Sequence, residues 1–366
     1  MKFGGSLICQ NYFRSPRPDH EIYAEDLALA EMYEDLGFDM VWSVEHHFTD
    51  YELIPDPVQM LSYVCGRTKK IGLGTFVIVL PWHDPVRVAE QIAMLDNFAR
   101  GRELLLGFGR GAAQVEYDGF RVSMSEARER LIESIEVVKR GLGQDRFSFA
   151  GKYFNIPDMR IRPRPVSSDL TERMYGAIIS PETGEIMARA GLGMLIIPQK
   201  SWADHLKDYE AYQAACARFG TAVRRPIITA WIYCAEDESA QEDGRKWIMD
   251  YADTAVQHYA FDEPEHFRAA KGYEAYVELA QASQQQANAF QQEFAKTQIF
   301  GTPEQCVAAI RELRQAMNPS QFVGVFKYGS LPNDLAVRST ELFASQVMPA
   351  IRADDATAQE QSAAAL

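Results

Sequence analysis

The sequence has few cysteines, and none of them forms a recognisable motif. Five occur among 366 residues, at widely separated positions, and no CxxC pair is present. Disulfide frameworks need an even set of cysteines, and cysteine-based zinc sites need closely paired thiols. We therefore expect free thiols in a reducing compartment, which favours a cytoplasmic location.

Long apolar segments and an excess of positive charge are also missing. No stretch approaches the roughly 18 apolar residues of a membrane-spanning helix, and the N-terminus lacks the apolar core of a signal peptide. Lys and Arg number 37 against 51 Asp and Glu, so the formal net charge is −14. Broad nucleic-acid and anionic-membrane surfaces need clustered basic residues, so neither partner is expected. A local pocket for one small phosphate remains compatible with this charge.

Short β-branched runs alternate with amphipathic stretches along the whole chain. The alternation predicts eight strands, over Phe3–Cys9, Met40–Val44, Ile71–Val79, Leu104–Phe108, Met174–Ile179, Met194–Ile197, Ile227–Cys234 and Phe322–Phe326. Helical patterns lie between them, and one begins at Thr302-Pro303-Glu304-Gln305, which has the residues of a capping box. Because parallel strands need crossover helices, we predict an α/β fold with a single (β/α)8 TIM barrel. An open doubly wound sheet is the alternative.

The chain is longer than a minimal barrel, which takes about 250 residues. We expect one domain over residues 1–352, with insertions at 145–171 and 261–300, followed by a disordered tail over 353–366. The second insertion lies between the seventh and eighth strands. It is either a long mobile loop that covers the barrel mouth or a helical excursion on the surface.

Catalytic residues of TIM barrels lie in the loops after the strands, and the loop after the second strand carries Glu45-His46-His47-Phe48. Adjacent residues of an extended segment point to opposite sides, and no HxH or HExxH motif is present, so we expect no metal site. We expect His46 to transfer protons, because a neutral imidazole does so near neutral pH. His47 is expected to be structural. Glu45 either orients His46 or accepts hydrogen bonds from the backbone.

The fourth strand leads into Gly107-Phe108-Gly109-Arg110-Gly111, which superficially matches a dinucleotide-binding fingerprint. That fingerprint requires a helix directly after the glycines, whereas the sequence predicts a turn over 116–119. We therefore interpret Gly109 as a place where a ligand approaches the backbone, with Arg110 as its cation.

A helix start follows the fifth strand at Ser180-Pro181-Glu182-Thr183. Its free N–H groups and the hydroxyls of Ser180 and Thr183 favour an anion held together with Arg110. An ordinary capped helix is the alternative. Arg128 either adds a second guanidinium or pairs with glutamates on its own helix.

With these residues in place, the chain resembles the bacterial luciferase-like, flavin-dependent monooxygenases, and most of all the α (catalytic) subunit of luciferase. The similar stretches run from Met1 to about Ile351. The most specific are EHHF and LPxxxPVRxAE, supported by MKFGGSLI, GRGAA and IFGTPEQCVAAI.

The resemblance implies roles for positions that match the family's motifs. His46 takes the place of the catalytic histidine, and the segment at 261–300 that of a mobile loop shielding the flavin. The Phe76-Val77 peptide is implied to be cis and to lie beneath the flavin ring. The residues implied to bind the flavin are Phe76, Val77, Gly109, Arg110, Arg128, Ser180 and Thr183. Gly109 replaces a reactive cysteine and Ile179 a glutamate, and both departures argue against light emission.

The resemblance further implies a two-component monooxygenase. Reduced FMN would come from a separate flavin reductase and react with O2, through a flavin hydroperoxide, to oxidise an aldehyde or another small apolar substrate. The alternatives are a deazaflavin-dependent oxidoreductase on the same barrel and a non-catalytic flavin-binding partner subunit. Apolar residues near Val58–Tyr63 and Val88–Leu95 predict pairing into a homodimer, or else into a heterodimer.

Overall fold

The computed structural model describes residues 1–178, 180–285 and 288–354. Its strands, in chain order, are β1 (Lys2–Leu7), β2 (Met40–Ser43), β3 (Gly72–Val79), β4 (Leu104–Gly109), β5 (Phe147–Ala150), β6 (Asn155–Met159), β7 (Met174–Ala177), β8 (Gly193–Ile196), β9 (Ile227–Cys234), β10 (Ile299–Gly301) and β11 (Gln321–Val325). Eight of them pair in parallel around a closed ring in the order β1-β2-β3-β4-β7-β8-β9-β11. The last strand, β11, pairs with β1, so the sheet has no open edge. The predicted TIM barrel is confirmed and the open sheet is excluded.

Most of the helices pack around the outside of the barrel, and the others lie in the segments that follow its strands at the mouth. The helices are α1 (Asp19–Asp35), α2 (Pro57–Arg67), α3 (Pro85–Ala99), α4 (Gln114–Phe120), α5 (Ala127–Gly143), α6 (Pro181–Ala190), α7 (Trp202–Phe219), α8 (Ala240–Tyr259), α9 (Glu265–Ala269), α10 (Glu274–Gln285), α11 (Ala289–Lys296), α12 (Pro303–Met317) and α13 (Asn333–Leu342). In α12 the predicted capping box is present, because Thr302 Oγ1 accepts from Gln305 N and Gln305 Oε1 accepts from Thr302 N. Two orphan N–H groups are thereby satisfied at the helix start. Within the described ranges, no helix meets the length and apolarity needed to cross a bilayer.

Packing of large side chains beside glycines helps to fill the barrel wall. Trp42 on β2 is fully buried, and a Cβ atom at Gly4 of β1 or Gly74 of β3 would come within 2.6 or 2.5 Å of the indole. The indole therefore occupies space that only glycine leaves free on both neighbouring strands. Burying a side chain of this size stabilises the fold by about 4–6 kcal/mol.

Both predicted insertions contain regular structure. In the first, β5 and β6 form an antiparallel hairpin outside the barrel. The second contains α9, α10 and α11, with residues 286 and 287 outside the described part of the chain. It returns through β10, which pairs with residues 232–234 at the C-terminal end of β9 and so lies at the barrel mouth.

The end of the chain is helical for longer than its composition suggests. After α13 the helix continues through a π turn over Phe343–Val347 and remains helical to residue 354. Asp354 accepts two hydrogen bonds from Arg311 of α12, at 2.9 and 3.0 Å. Residues 353 and 354 are therefore part of a helix and not of the expected disordered tail, whose remaining residues, 355–366, lie outside the described part.

Candidate active site

The side chain of His46 lies at the mouth of the barrel, three residues after β2 ends. Its Nδ1 atom is 3.0 Å from Oε1 of Glu116, a residue of α4, which follows the fourth barrel strand. The Glu116 side chain is fully buried, whereas His46 remains 17% exposed. The same Glu116 oxygen accepts a hydrogen bond from the backbone N–H of His47 at 2.9 Å. Two loops that are 70 residues apart in sequence are thus joined at one carboxylate.

The ionisation of the pair follows from this contact. Burial would raise the pKa of Glu116, but His46 and His258 outweigh it and hold that pKa at about 2. Burial would lower the pKa of His46, but the Glu116 carboxylate and its hydrogen bond outweigh it and raise that pKa above its usual range. With Glu116 ionised, His46 Nδ1 carries the hydrogen and donates it to the carboxylate. The Nε2 atom is therefore the one able to gain or lose a proton.

Glu45 does not contact His46. Its Oε1 atom lies 3.1 Å from His47 Nε2 and 2.6 Å from His83 Nε2, and its Oε2 accepts from Val79 N at 2.8 Å. Burial would raise the pKa of Glu45, but His83 and His47 outweigh it and keep that carboxyl ionised. Of the two roles expected for Glu45, the structure shows the second, in which its carboxylate accepts a hydrogen bond from a backbone N–H group. The residue that orients His46 is Glu116.

Sequence reasoning missed Glu116 because it predicted a turn over 116–119, which is wrong. Residues 114–120 form the short helix α4, which ends at Arg121 in a left-handed conformation. Gly119 suggested the turn, but it lies near the helix end, where glycine disturbs the helix little. A signal was available: a helix beginning at Gln114 puts Glu116 in its first turn, where a carboxylate is favoured.

One group of described residues has the composition of a metal site. Ligand atoms of His46, Glu116 and His258 lie within 4.8 Å of one another. The His258 Nε2 atom is 3.4 Å from the Glu116 oxygen that already accepts from His46 and His47, and its Nδ1 lies 2.7 Å from Thr49 Oγ1. The first Glu116 oxygen already accepts two hydrogen bonds, whereas the other oxygen, Oε2, and His258 Nε2 are buried without a hydrogen-bond partner.

A cavity of about 90 Å³ lies beside His46 at the end of the barrel. Five of the residues singled out from the sequence line it: His46, Val77, Gly109, Arg110 and Thr183. The remaining lining is mostly apolar and consists of Val79, Gly111, Ala112, Ala177, Ile197, Gln199, Tyr259 and Tyr276. The barrel therefore brings the imidazole of His46, the guanidinium of Arg110 and the hydroxyl of Thr183 to one largely apolar space.

The floor of this cavity is formed where β3 meets β4. The peptide bond between Phe76 and Val77 has the expected cis geometry, and the β3–β4 register shifts between Thr75 and Ile78. Phe76 is buried, whereas Val77 faces the cavity. A Cβ atom on Gly109 would lie 2.4 Å from Val77 Cγ2, so this valine occupies the space that a side chain at 109 would need. Ile179, the other departure noted above, lies outside the described residues.

Arg110 and Arg128 converge on one backbone segment of the second insertion. A Cβ atom on Gly272 would come within 2.4 Å of Arg128 Nη2 and 2.8 Å of Arg110 Nη1. The Arg110 guanidinium also lies over the Tyr273 ring, 3.9 Å from its centroid. Gly272 has a φ of +90°, in which a side chain would be strained. Glycine is thus required at 272 for the insertion to pass between the two guanidinium groups.

The start of α6 completes a positively charged corner. Ser180 Oγ accepts from Thr183 N and lies 3.1 Å from Thr183 Oγ1. Arg128 Nη2 approaches Glu182 Oε2 at 3.9 Å, which connects the guanidinium to the first turn of this helix. The Nε and Nη2 atoms of Arg128 are buried and have no hydrogen-bond partner. Such donors are normally satisfied, so this corner has the donors that an anionic group such as a phosphate needs.

The second insertion is attached to the barrel near Arg110. The Tyr273 hydroxyl lies 3.0 Å from the Gly111 carbonyl oxygen and 3.2 Å from the Tyr117 hydroxyl, and Tyr117 donates to the Arg110 carbonyl. Tyr276, on α10 of the insertion, lines the cavity together with Tyr259, the last residue of α8. The insertion therefore lies over the cavity at the barrel mouth.

Comparison with known proteins places this geometry in context. A family model described as luciferase-like monooxygenase matches residues 1–318. An uncharacterised protein, y4vJ, from Sinorhizobium fredii is 28% identical over 88% of this chain and 90% of its own length. An alkanal monooxygenase alpha chain from Photorhabdus laumondii is 25% identical over 96% of this chain and 98% of its own. The solved structure of the monooxygenase RslO1 from Streptomyces bottropensis is 26% identical, with a TM-score of 0.80 over 96% of this chain and 100% of that chain.

Two more distant solved structures share the fold and differ in cofactor. The oxygenating constituent of 3,6-diketocamphane monooxygenase from Pseudomonas putida, in complex with FMN, is 18% identical, with a TM-score of 0.72 over 95% of this chain and 98% of that chain. An F420-dependent secondary alcohol dehydrogenase is 16% identical, with a TM-score of 0.68 over 94% of this chain and 97% of that chain. At these identities the likeness establishes the fold alone.

Proposed function

Because the chain belongs to the luciferase-like monooxygenase family, we propose that it is an FMN-dependent monooxygenase that receives reduced FMN from a separate flavin reductase. Its substrate is a small apolar organic molecule, with a long-chain aldehyde as the first candidate. The apolar lining of the cavity beside His46 supports this substrate class, and so does the similarity to alkanal monooxygenase alpha chains.

The observation that carries the proposal is the corner formed by Arg110, Arg128 and the start of α6. Two buried donors of Arg128 that have no hydrogen-bond partner lie next to two hydroxyls and a helix N-terminus. Each of these groups stabilises a phosphate, and the charge-assisted contacts are the strongest. A flavin mononucleotide whose phosphate binds there would extend into the cavity that Val77, Gly109 and His46 line.

Reduced FMN, when bound, supplies the electrons that activate O2. The protein has three tasks around it. Arg110 and Arg128 hold the phosphate, Val77 and Gly109 shape the floor, and His46 Nε2 accepts or donates a proton while Glu116 holds Nδ1. The apolar lining and the covering insertion exclude water, which would otherwise compete with the substrate.

The second insertion acts as a lid in this account. Ligand pockets usually have volumes of about 300–1,000 Å³, whereas the cavity has about 90 Å³. Entry of a flavin therefore requires the insertion to move away from the mouth, and its return then closes the site. The contacts that must break are those of Gly272 and Tyr273 with the Arg110 region.

The protein also pairs with a second copy in this proposal. Most of the predicted apolar residues on α2 and α3, including Val58 and Val88, are buried in the domain core. Three large hydrophobic residues on the same helices remain exposed, namely Tyr63, Met94 and Phe98. We place the homodimer interface on this face; pairing with a different chain is the alternative.

The function is tested by comparing reduced FMN with reduced deazaflavin F420 in anaerobic titrations. We expect reduced FMN to bind at least tenfold more tightly, because the arginine corner suits its terminal phosphate monoester better than the phosphodiester of F420, which carries less negative charge. Tighter binding of F420 would instead identify a hydride-transferring oxidoreductase. If the purified chain turns over alkanals together with any flavin reductase, it is not a non-catalytic partner subunit. If it turns over none of a panel of apolar substrates, the non-catalytic role is supported.

A further inference from the structure

A second buried carboxyl group faces the other ring nitrogen of His46. Glu52 Oε2 lies 3.6 Å from His46 Nε2, and the Glu52 side chain is 3% exposed. Its Oε1 atom accepts a hydrogen bond from the Tyr251 hydroxyl at 3.1 Å. The Tyr51 hydroxyl lies 2.6 Å from the Tyr251 hydroxyl and extends this series of hydrogen bonds. His46 therefore has a carboxyl group at each nitrogen.

The two carboxyl groups have different surroundings. Glu116 accepts from a backbone N–H and from His46, which stabilises its ionised form. Glu52 accepts from Tyr251 alone among the residues that the structure describes. Burial raises the pKa of Glu52 to about 7, although His46 and Tyr251 oppose the shift. Near pH 7 Glu116 is thus ionised, whereas a substantial fraction of Glu52 is protonated, and such a difference gives one site an acid and a base from two carboxyls.

Other ionisable groups close to the pair already have partners. Asp26 accepts from Lys327 at 2.6 Å, and Glu45 is paired with His83. Among the described residues, the titratable groups close to His46 or Glu52 are Cys9, Asp26, Glu45, Glu116, His258, Tyr51, Tyr251 and Tyr259. Burial lowers the pKa of His258, and the buried tyrosines have raised pKa values, so these groups stay neutral near pH 7.

We propose that Glu52 is a positioning residue that shares one proton with His46 Nε2 and returns it to the imidazole during turnover. The proton leaves Glu52 Oε2 and joins His46 Nε2, and the resulting carboxylate is stabilised by the Tyr251 hydroxyl and by the imidazolium. No other bond changes and no electrons move. When the lid excludes water, this transfer restores the protonated histidine from inside the protein. The role in turnover rests on the proposed function, whereas the shared proton belongs to the protein without any ligand.

The shared proton can be measured on the ligand-free protein. Infrared difference spectra between pH 5 and 9 should contain the C=O band of a protonated carboxyl group that Glu52→Gln removes. NMR titration of the histidines should give a lower pKa for His46 in Glu52→Gln than in the wild type. Asp50→Asn is the matched control, because Asp50 is an exposed carboxylate of the same loop and should change neither signal. An unchanged His46 titration together with an unchanged infrared spectrum overturns the proposal.

A second variant, Tyr251→Phe, should favour the protonated form of Glu52. Tyr251→Phe removes the hydroxyl that stabilises the Glu52 carboxylate, so the infrared band should persist to higher pH than in the wild type. If Glu52→Gln fails to fold, the pH shift of the infrared band in Tyr251→Phe tests the proposal by itself. A band that is not shifted contradicts the proposal.

Turnover then separates a proton-sharing role from a packing role. Glu52→Gln should lower kcat about tenfold, remove one ionisation from the pH profile of kcat and leave the Kd for reduced FMN unchanged. A fall in kcat with an unaltered pH profile would assign Glu52 to packing. If the protein binds no flavin at all, the proposed function is wrong. The infrared and NMR experiments on the ligand-free protein still test the shared proton independently.

Discussion

His46 Nδ1 and Glu116 Oε1 lie 3.0 Å apart, although the two residues belong to loops that follow different barrel strands. The contact gives the histidine one defined tautomer and one free nitrogen. It also holds the β2 and β4 loops together through the His47 backbone N–H, which donates to the same oxygen. Orientation of the imidazole and closure of this part of the mouth therefore depend on one buried carboxylate.

Glu116→Gln should reduce kcat about a hundredfold, because an oriented and ionised partner is needed for efficient proton transfer by His46. The amide cannot stabilise the protonated imidazole by charge. Asp118→Asn is the matched control, since Asp118 lies on the same short helix but is exposed. Steady-state assays with reduced FMN and an alkanal measure both variants. Equal activity of Glu116→Gln and the wild type would refute a role for the contact.

The same substitution should lower the pKa of His46. The Glu116 carboxylate raises that pKa by favouring the charged imidazole, so removing the negative charge favours the neutral form. The protonation midpoint of His46 therefore moves to lower pH in Glu116→Gln. NMR titration of the imidazole resonances measures this, with Asp118→Asn expected to titrate as the wild type does. A midpoint that stays in place or moves upward would be inconsistent with the geometry.

Arg110→Ala and Arg128→Ala should each weaken FMN binding about tenfold to a hundredfold, as a charge-assisted contact contributes about 1.5–3 kcal/mol. Riboflavin, which lacks the phosphate, should bind both variants nearly as well as the wild type. Arg121→Ala is the matched control, because Arg121 is exposed and its side chain hydrogen-bonds only to the Gly119 carbonyl within the described residues. Calorimetric titration with both flavins tests this. Equal losses for FMN and riboflavin would show that the arginines do not contact the phosphate.

Gly109→Ala should destabilise the protein by about 1–3 kcal/mol, because the added methyl group would lie 2.4 Å from Val77 Cγ2. Val77→Ala removes the opposing methyl groups and should restore part of the loss in the double variant. Urea unfolding of the wild type, both single variants and the double variant gives the coupling energy. Strictly additive effects would mean that the two residues do not compete for the same space.

Most of the fold could be predicted from the sequence because its determinants are local and repeated. The eight barrel strands all occur close to their predicted positions, and Ile227–Cys234 matches residue for residue. The start of a helix such as α12 is fixed by hydrogen bonds within four consecutive residues, so it can also be predicted from the sequence. The short helices of the second insertion have no comparable apolar period, and the sequence indicated only a long excursion there.

The candidate site was predictable only in part, for a physical reason. The barrel rule brings the ends of different strands together, so His46, Gly109, Arg110 and Thr183 could be expected near one another. Which carboxylate meets His46 depends on the distance between loops, and no local pattern encodes it. Glu45, the sequence neighbour, pairs with His47 and His83 instead.

Glu52 and Gly272 illustrate the same limit. Glu52 lies in a loop without a recognisable motif. It lies close to His46 in the same loop, and it accepts a hydrogen bond from Tyr251, which is 199 positions away in the sequence. Gly272 is one of 24 glycines, and only its place between Arg110 and Arg128 distinguishes it.

The central claim is that the chain is an FMN-dependent monooxygenase. It is tested most directly when the complex of the protein and reduced FMN is mixed with aerated buffer and absorption spectra are recorded. We expect a transient spectrum, distinct from those of reduced and oxidised flavin, that lasts for seconds and decays faster when an alkanal is added. Immediate appearance of oxidised flavin, at the rate measured without protein and with no response to the alkanal, would contradict it.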